Sequence, residues 1–124
     1  KEEDIKLDED YGLFLENIQS SDALERIAII VDELKNENHN IRLYCIKNLK
    51  DVSDILGVKR TEEELIPLLF EIINGKEDNE EVLTAIAEVL PNISRSVNTL
   101  RVLEILAGND GEMVRETVIE KINE

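Results

Sequence analysis

The sequence predicts an all-α protein: a right-handed α-solenoid of about three helical hairpins, preceded by a short N-terminal helix. Three observations carry this expectation. Apolar residues recur at helical spacing in six successive stretches, no stretch alternates apolar and polar residues with period two, and glycines or polar clusters separate the stretches. With 124 residues, 42% of them hydrophobic, the chain holds one domain and enough apolar surface for a packed core.

The elements follow in chain order. Lys1–Ser20 is an acidic lead-in in which only Leu13, Phe14, Leu15 and Ile18 offer apolar surface, which predicts one short helix around Tyr11–Ile18. Leu24, Ile27, Ala28, Val31 and Leu34 then mark one helix face, with Ser21 or Asp22 as N-cap and Glu25 placed to assist. A polar run, Lys35 to Asn40, stops that helix. Ile41, Tyr44, Cys45, Ile46, Leu49, Val52, Ile55 and Leu56 form the next amphipathic face, ended by Gly57 as a C′ residue. Thr61-Glu62-Glu63-Glu64 reads as a capping box before Leu65, Leu68, Leu69, Ile72 and Ile73, with Pro67 bending the helix. Gly75 and the turn Lys76-Glu77-Asp78-Asn79 lead to Val82, Ala85, Ile86, Val89 and Leu90, where Pro91 kinks or frays the end. Leu100, Leu103, Ile105 and Leu106 make a shorter helix, and after the turn Gly108-Asn109-Asp110-Gly111, residues Met113, Val114, Val118, Ile119 and Ile122 make the last.

The second helices of the three hairpins superpose. Ile41, Val82 and Val114 begin a nine-residue pattern that is apolar at position one, small or apolar at five and apolar at nine. Arginine follows the first position in two copies, Arg42 and Arg115, and Leu83 stands there in the other. The spacing from Ile41 to Val82, 41 residues, matches the period of HEAT and armadillo units. The repeats span approximately 21–57, 61–96 and 98–123. Such a hairpin cannot bury its apolar face alone, and roughly three are needed for stability. The expectation is therefore the N-terminal part of a longer array, with a compact six-helix bundle as the alternative. Arg42 and Arg115, one turn into their helices, are placed to bond carboxylates of a neighbouring repeat and fix its register.

Composition excludes several function classes. A net charge of −15 argues against nucleic-acid and anionic-membrane partners, since phosphate recognition needs basic surface. A single cysteine permits no internal disulfide and fits a reducing compartment, which sets cytoplasmic location as the expectation with the nucleus as the alternative. The lone His39 has no cysteine neighbours with which to build a zinc site, and Cys45 on an apolar helix face reads as a buried small hydrophobe. Glu77 to Glu81 lacks the spacing of a calcium loop, and Glu62 and Glu63 diverge on their helix instead of forming an acid–base pair. No catalytic residue, cofactor or metal is expected.

Val31-Asp32-Glu33-Leu34-Lys35-Asn36-Glu37, the start Ile41-Arg42-Leu43, and the segment Leu56-Gly57-Val58 through Arg60-Thr61 to Glu64-Leu65-Ile66-Pro67 together resemble the opening repeats of the scaffold (A, 65-kDa regulatory) subunits of protein phosphatase 2A. The resemblance covers roughly the last hundred residues, continuing more loosely through Glu80–Glu88 and Val114-Arg115-Glu116. It implies a non-catalytic horseshoe of HEAT repeats. Its N-terminal repeats would receive a regulatory B-type subunit on the turns within each repeat, and later repeats, absent here, would hold the catalytic subunit. On this chain the implied partner-binding residues are Glu37, Asn38, His39 and Asn40 in the first turn, Glu77, Asp78, Asn79 and Glu80 in the second, and Asn109 and Asp110 in the third. The alternative is another HEAT or armadillo adaptor that binds a protein or peptide partner.

Overall fold

A computed structural model describes residues 2–75 and 77–123, and they fold as helices alone, with no strand among them. Helix α1 spans Glu2–Ser20. The first hairpin is α2 (Ala23–Asp32), lengthened by a 3-10 turn at Glu33–Lys35, followed by α3 (His39–Lys47) and α4 (Leu49–Arg60). The second is α5 (Ile66–Asn74) and α6 (Glu80–Ile93), the third α7 (Val97–Ala107) and α8 (Glu112–Ile122). The second helices pack side by side, with α6 between α3 and α4 on one flank and α8 on the other. The first helices form the opposing row, α5 against α7, and α2 leans on α4. The hairpins thus stack in chain order as two layers, the arrangement of an α-solenoid.

The repeat pattern explains the core. Ile41, Val82 and Val114 at position one are buried, as are Cys45, Ile86 and Val118 at position five. At position nine Leu49 and Leu90 are fully buried, whereas Ile122 is 57% exposed. Helix α6, flanked by hairpins on both sides, is buried almost all round, from Val82 through Ala87. The same packing leaves Leu24 and Leu100, placed on the apolar faces by spacing, mostly exposed.

Four local expectations are corrected. The N-terminal helix is not short: it runs 19 residues. Tyr11, Phe14 and Ile18 recur at helical spacing and pack on the core, where α1 meets α3, and the acidic first turns suit a helix N-terminus. The helix expected from Ile41 to Leu56 is interrupted at Asn48, whose backbone leaves helical geometry and whose side chain donates to the Tyr44 carbonyl.

Gly57 does end the helical run, at φ 85° and ψ 170°, a region open essentially to glycine alone. The third correction follows from it, because helical backbone resumes at Val58 and Thr61 lies inside the helix. The capping box does not form. The Thr61 hydroxyl is buried and donates to the Ser53 carbonyl at 3.4 Å, while Glu64 pairs with Arg60, whose guanidinium holds the carboxyl below its ordinary range. The fourth concerns Pro67, which sits at the start of α5 just after a widened turn at Thr61–Leu65. There the Ile66 N–H reaches back five residues to Thr61. A wide turn accommodates a ring that has no N–H to give and would clash with the Glu63 carbonyl. Pro91 lies in the last turn of α6, which continues to Ile93.

Candidate partner-docking ridge

Three turns connect the helices within the hairpins, and each closes on an asparagine. In the first, the Asn38 Oδ1 accepts from the Asn40 N–H at 2.9 Å and starts α3, while the Asn36 Oδ1 accepts from the Asn38 N–H at 2.7 Å. In the second, the Asn79 Oδ1 accepts from the Val82 N–H at 3.1 Å and starts α6. In the third, the Asn109 Oδ1 accepts from the Gly111 N–H at 2.8 Å. Short polar side chains are needed here because the first N–H groups of each helix have no partner within the helix.

The arginines brace these turns. Arg42 Nη1 donates to the carbonyls of Asn36 and Glu37, at 2.8 and 3.0 Å. Arg115 Nη1 donates to the carbonyls of Asn109 and Asp110, both at 2.8 Å, at the same sequence offsets. Arg42 then does more: its Nε and Nη2 grip both oxygens of Glu77 in the next turn, at 2.8 and 3.0 Å. This pair is largely withdrawn from water, with the side chains 17% and 2% exposed. The register bond expected of Arg42 therefore exists, whereas Arg115 is committed to its own turn. A second bond joins the second and third turns, the Glu80 carboxylate accepting from the Met113 N–H at 3.1 Å. Glu80 crosses directly over Gly111, where any Cβ would lie 2.9 Å from its carboxyl group.

The structure thus brings the expected residues of the three turns together on one edge, in two different roles. Asn38 is 4% exposed and its amide donates to the Leu7 carbonyl of α1 at 2.9 Å. Glu77 is spent on Arg42. His39, Asn40, Asn79 and Asn109 are half-buried. Glu37, Asp78, Glu80 and Asp110 are exposed along the edge. Lys76, expected in the second turn, lies outside the described residues. Between the first two turns lies a cavity of about 540 Å³ with Leu34 and Ile72 among its lining, Lys35 and Glu71 paired at its rim, and the Arg42–Glu77 pair in its wall. Sequence reasoning missed the contributions of Leu7, Asn36 and Gly111. Leu7 acts through its backbone carbonyl and the other two through bonds within their turns, which no side-chain periodicity reveals.

Among the described residues no group of three His, Cys, Asp or Glu side chains could hold a metal ion, and no helix is long and apolar enough to cross a membrane. Cys45 is fully buried, and burial, with the Glu33 charge adding to it, pushes its thiol up to about 12. A thiol so placed stays protonated and is a poor nucleophile.

Stacked helical hairpins whose turns are bonded into one edge define a repeat protein of the α-solenoid class, built to present surface. No protein-family model matches the chain. Curated relatives do, and they make it a homologue of the protein phosphatase 2A scaffold subunits. It is 39% identical over 109 residues to the protein phosphatase 2A scaffold subunit of Dictyostelium discoideum, covering 82% of this chain and 18% of that one. It is 38% identical over 110 residues to the beta isoform of the human protein phosphatase 2A 65 kDa regulatory subunit, covering 83% and 18%. To the protein phosphatase PP2A regulatory subunit of Saccharomyces cerevisiae it is 33% identical over 111 residues, covering 84% and 17%. The chain therefore spans about 18% of the length of the relatives it matches.

Proposed function

We propose that this chain is a non-catalytic scaffold segment of a protein phosphatase 2A holoenzyme, and that its three turns receive a regulatory B-type subunit. The catalytic subunit would sit on repeats outside this chain. The observation that carries the reading is the continuous edge: Arg42–Glu77 and Glu80–Met113 tie the three turns together while Glu37, Asp78 and Asp110 stay exposed along it. A preformed edge loses little entropy on binding, its acidic side chains would steer a basic surface of the partner and fix its register, and joint binding to one scaffold would raise the effective concentration of one subunit near another. The relatives named as scaffold or regulatory subunits support the same reading.

The test is charge reversal at Glu37, Asp78 and Asp110 to Lys, with binding of a purified regulatory subunit measured by calorimetry. The reading expects at least tenfold weaker binding with an unchanged melting temperature. Unchanged affinity overturns it. Glu77 is excluded from the reversal, because a lysine against Arg42 would break the fold and obscure the result.

A further inference from the structure

We propose that the first half of α1, Glu2–Tyr11, is a latch over the first turn, hinged at Gly12, and that its opening uncovers Asn38 for the partner. The inference rests on the docking role proposed above for that turn.

The two halves of α1 are held very differently. Beyond Gly12, Phe14 and Ile18 are buried, and the Phe14 ring meets Tyr44 edge-on at 5.3 Å between centroids. Before it, Leu7 and Tyr11 are only half-buried and Ile5 is 57% exposed. Among the described residues, one side-chain hydrogen bond ties this half to the rest of the fold, from the Asn38 amide to the Leu7 carbonyl. A cavity of about 520 Å³, lined by Lys6, Leu7, Asp10, Asn36, Glu37 and Asn38, leaves the half poorly packed on the turn it covers. Its carboxylates, including Asp4, Asp8, Glu9 and Asp10, far outnumber the one lysine within it, Lys6, and Glu37 lies across the cavity, so like charges oppose closure.

Gly12 divides the halves without any packing reason for a glycine. Nothing lies within 4 Å of the position a Cβ would take, and its φ is not positive. Glycine in an exposed helix interior lowers helix stability by about fivefold in the equilibrium relative to alanine. The chain thus places a weak point between a well-anchored segment and a loosely held one, and the loosely held one buries Asn38.

Hydrogen exchange at single amides and affinity for a purified regulatory subunit, both on the full chain, test the proposal. In the wild type, amides of the latch should exchange at least tenfold faster than those of Phe14–Ser20. Gly12→Ala should slow latch exchange about fivefold and weaken partner binding by up to that factor. Two openers act by separate routes. Gly12→Pro breaks the helix at the hinge without touching the turn. Tyr11→Ser removes apolar contact between the latch and the core and leaves Asn38 intact. Both should speed latch exchange and tighten binding.

Latch and anchor amides exchanging together in the wild type would overturn the hinge. Exchange that responds to the variants beside affinities equal within twofold overturns gating alone and leaves the docking reading intact. No binding by the wild type or by either opener overturns gating and the docking reading together.

Discussion

The two junctions between hairpins solve one problem with different chemistry. Where the first hairpin meets the second, Arg42 and Glu77 form a two-pronged pair that is nearly dry. Where the second meets the third, the residue equivalent to Arg42 is Leu83, 4% exposed in the core, and the polar link between turns is an exposed bond from the Met113 N–H to Glu80. Both junctions bury the same repeat position, with Cys45, Ile86 and Val118 all withdrawn from water. Apolar packing is thus the shared requirement for stacking. The buried ion pair adds register at one junction, with a penalty for losing either partner that the other junction does not carry.

The largest expected effect lies in that pair. Glu77→Leu should destabilise the chain by about 3 kcal/mol, and Arg42→Leu by a similar amount, because each strands a partner away from water. The double variant Arg42→Leu with Glu77→Leu leaves no stranded charge and should be more stable than either single variant, short of the wild type by the two carbonyl bonds that Arg42 also gives up. Urea unfolding of the four proteins measures the cycle. A single-variant cost below about 1 kcal/mol would reduce the pair to an ordinary surface bridge and erase the contrast.

A second effect at the first junction, absent at neutral pH, emerges only in alkali. The Cys45 thiol is pushed from 9.0 to about 12 in the folded chain, so between those values the unfolded chain releases a proton that the folded one keeps. Stability from this group is complete below pH 9 and falls as pH rises, by up to about 1.4 kcal/mol per pH unit. Comparing the slope of unfolding free energy with pH for the wild type and Cys45→Ala isolates it. Equal slopes would mean that the thiol is reached by water.

The smallest effect belongs to the second junction. Gly111→Ala places a Cβ 2.9 Å from the Glu80 carboxyl group, which can swing aside into solvent. The bond to Met113 should be lost at a cost below about 1 kcal/mol, seen as faster exchange of the Met113 amide with little change in melting temperature. A large drop in melting temperature would show that this link matters as much as Arg42–Glu77.

The positions of Ile41, Val82 and Val114, and of Cys45, Ile86 and Val118, were legible as core from spacing alone, because a helix that must bury one stripe repeats its apolar residues at helical intervals. The three turns were legible from their asparagines and glycines, and Arg42 from its place one turn into the helix. Its partner was not. The neighbouring repeat holds several carboxylates, Glu71, Glu77, Glu80 and Glu81 among them, and the choice of Glu77 depends on how the second turn lies beside the first. The capping box at Thr61 failed for a related reason. Its residues suit a helix start, but Gly57 had already ended one helix and let the next begin at Val58.

The sequence by itself determined the all-helical class, the hairpin repeat and the positions of the turns, since these follow from local periodicity and turn chemistry. Only the tertiary structure decided which turn residues face solvent and which hold the turns together. It hid Asn38 beneath α1 and Glu77 against Arg42. Burial and pairing are settled between segments distant in the chain, where the cost of leaving a charge or an amide unpartnered selects one contact among several that local sequence permits equally.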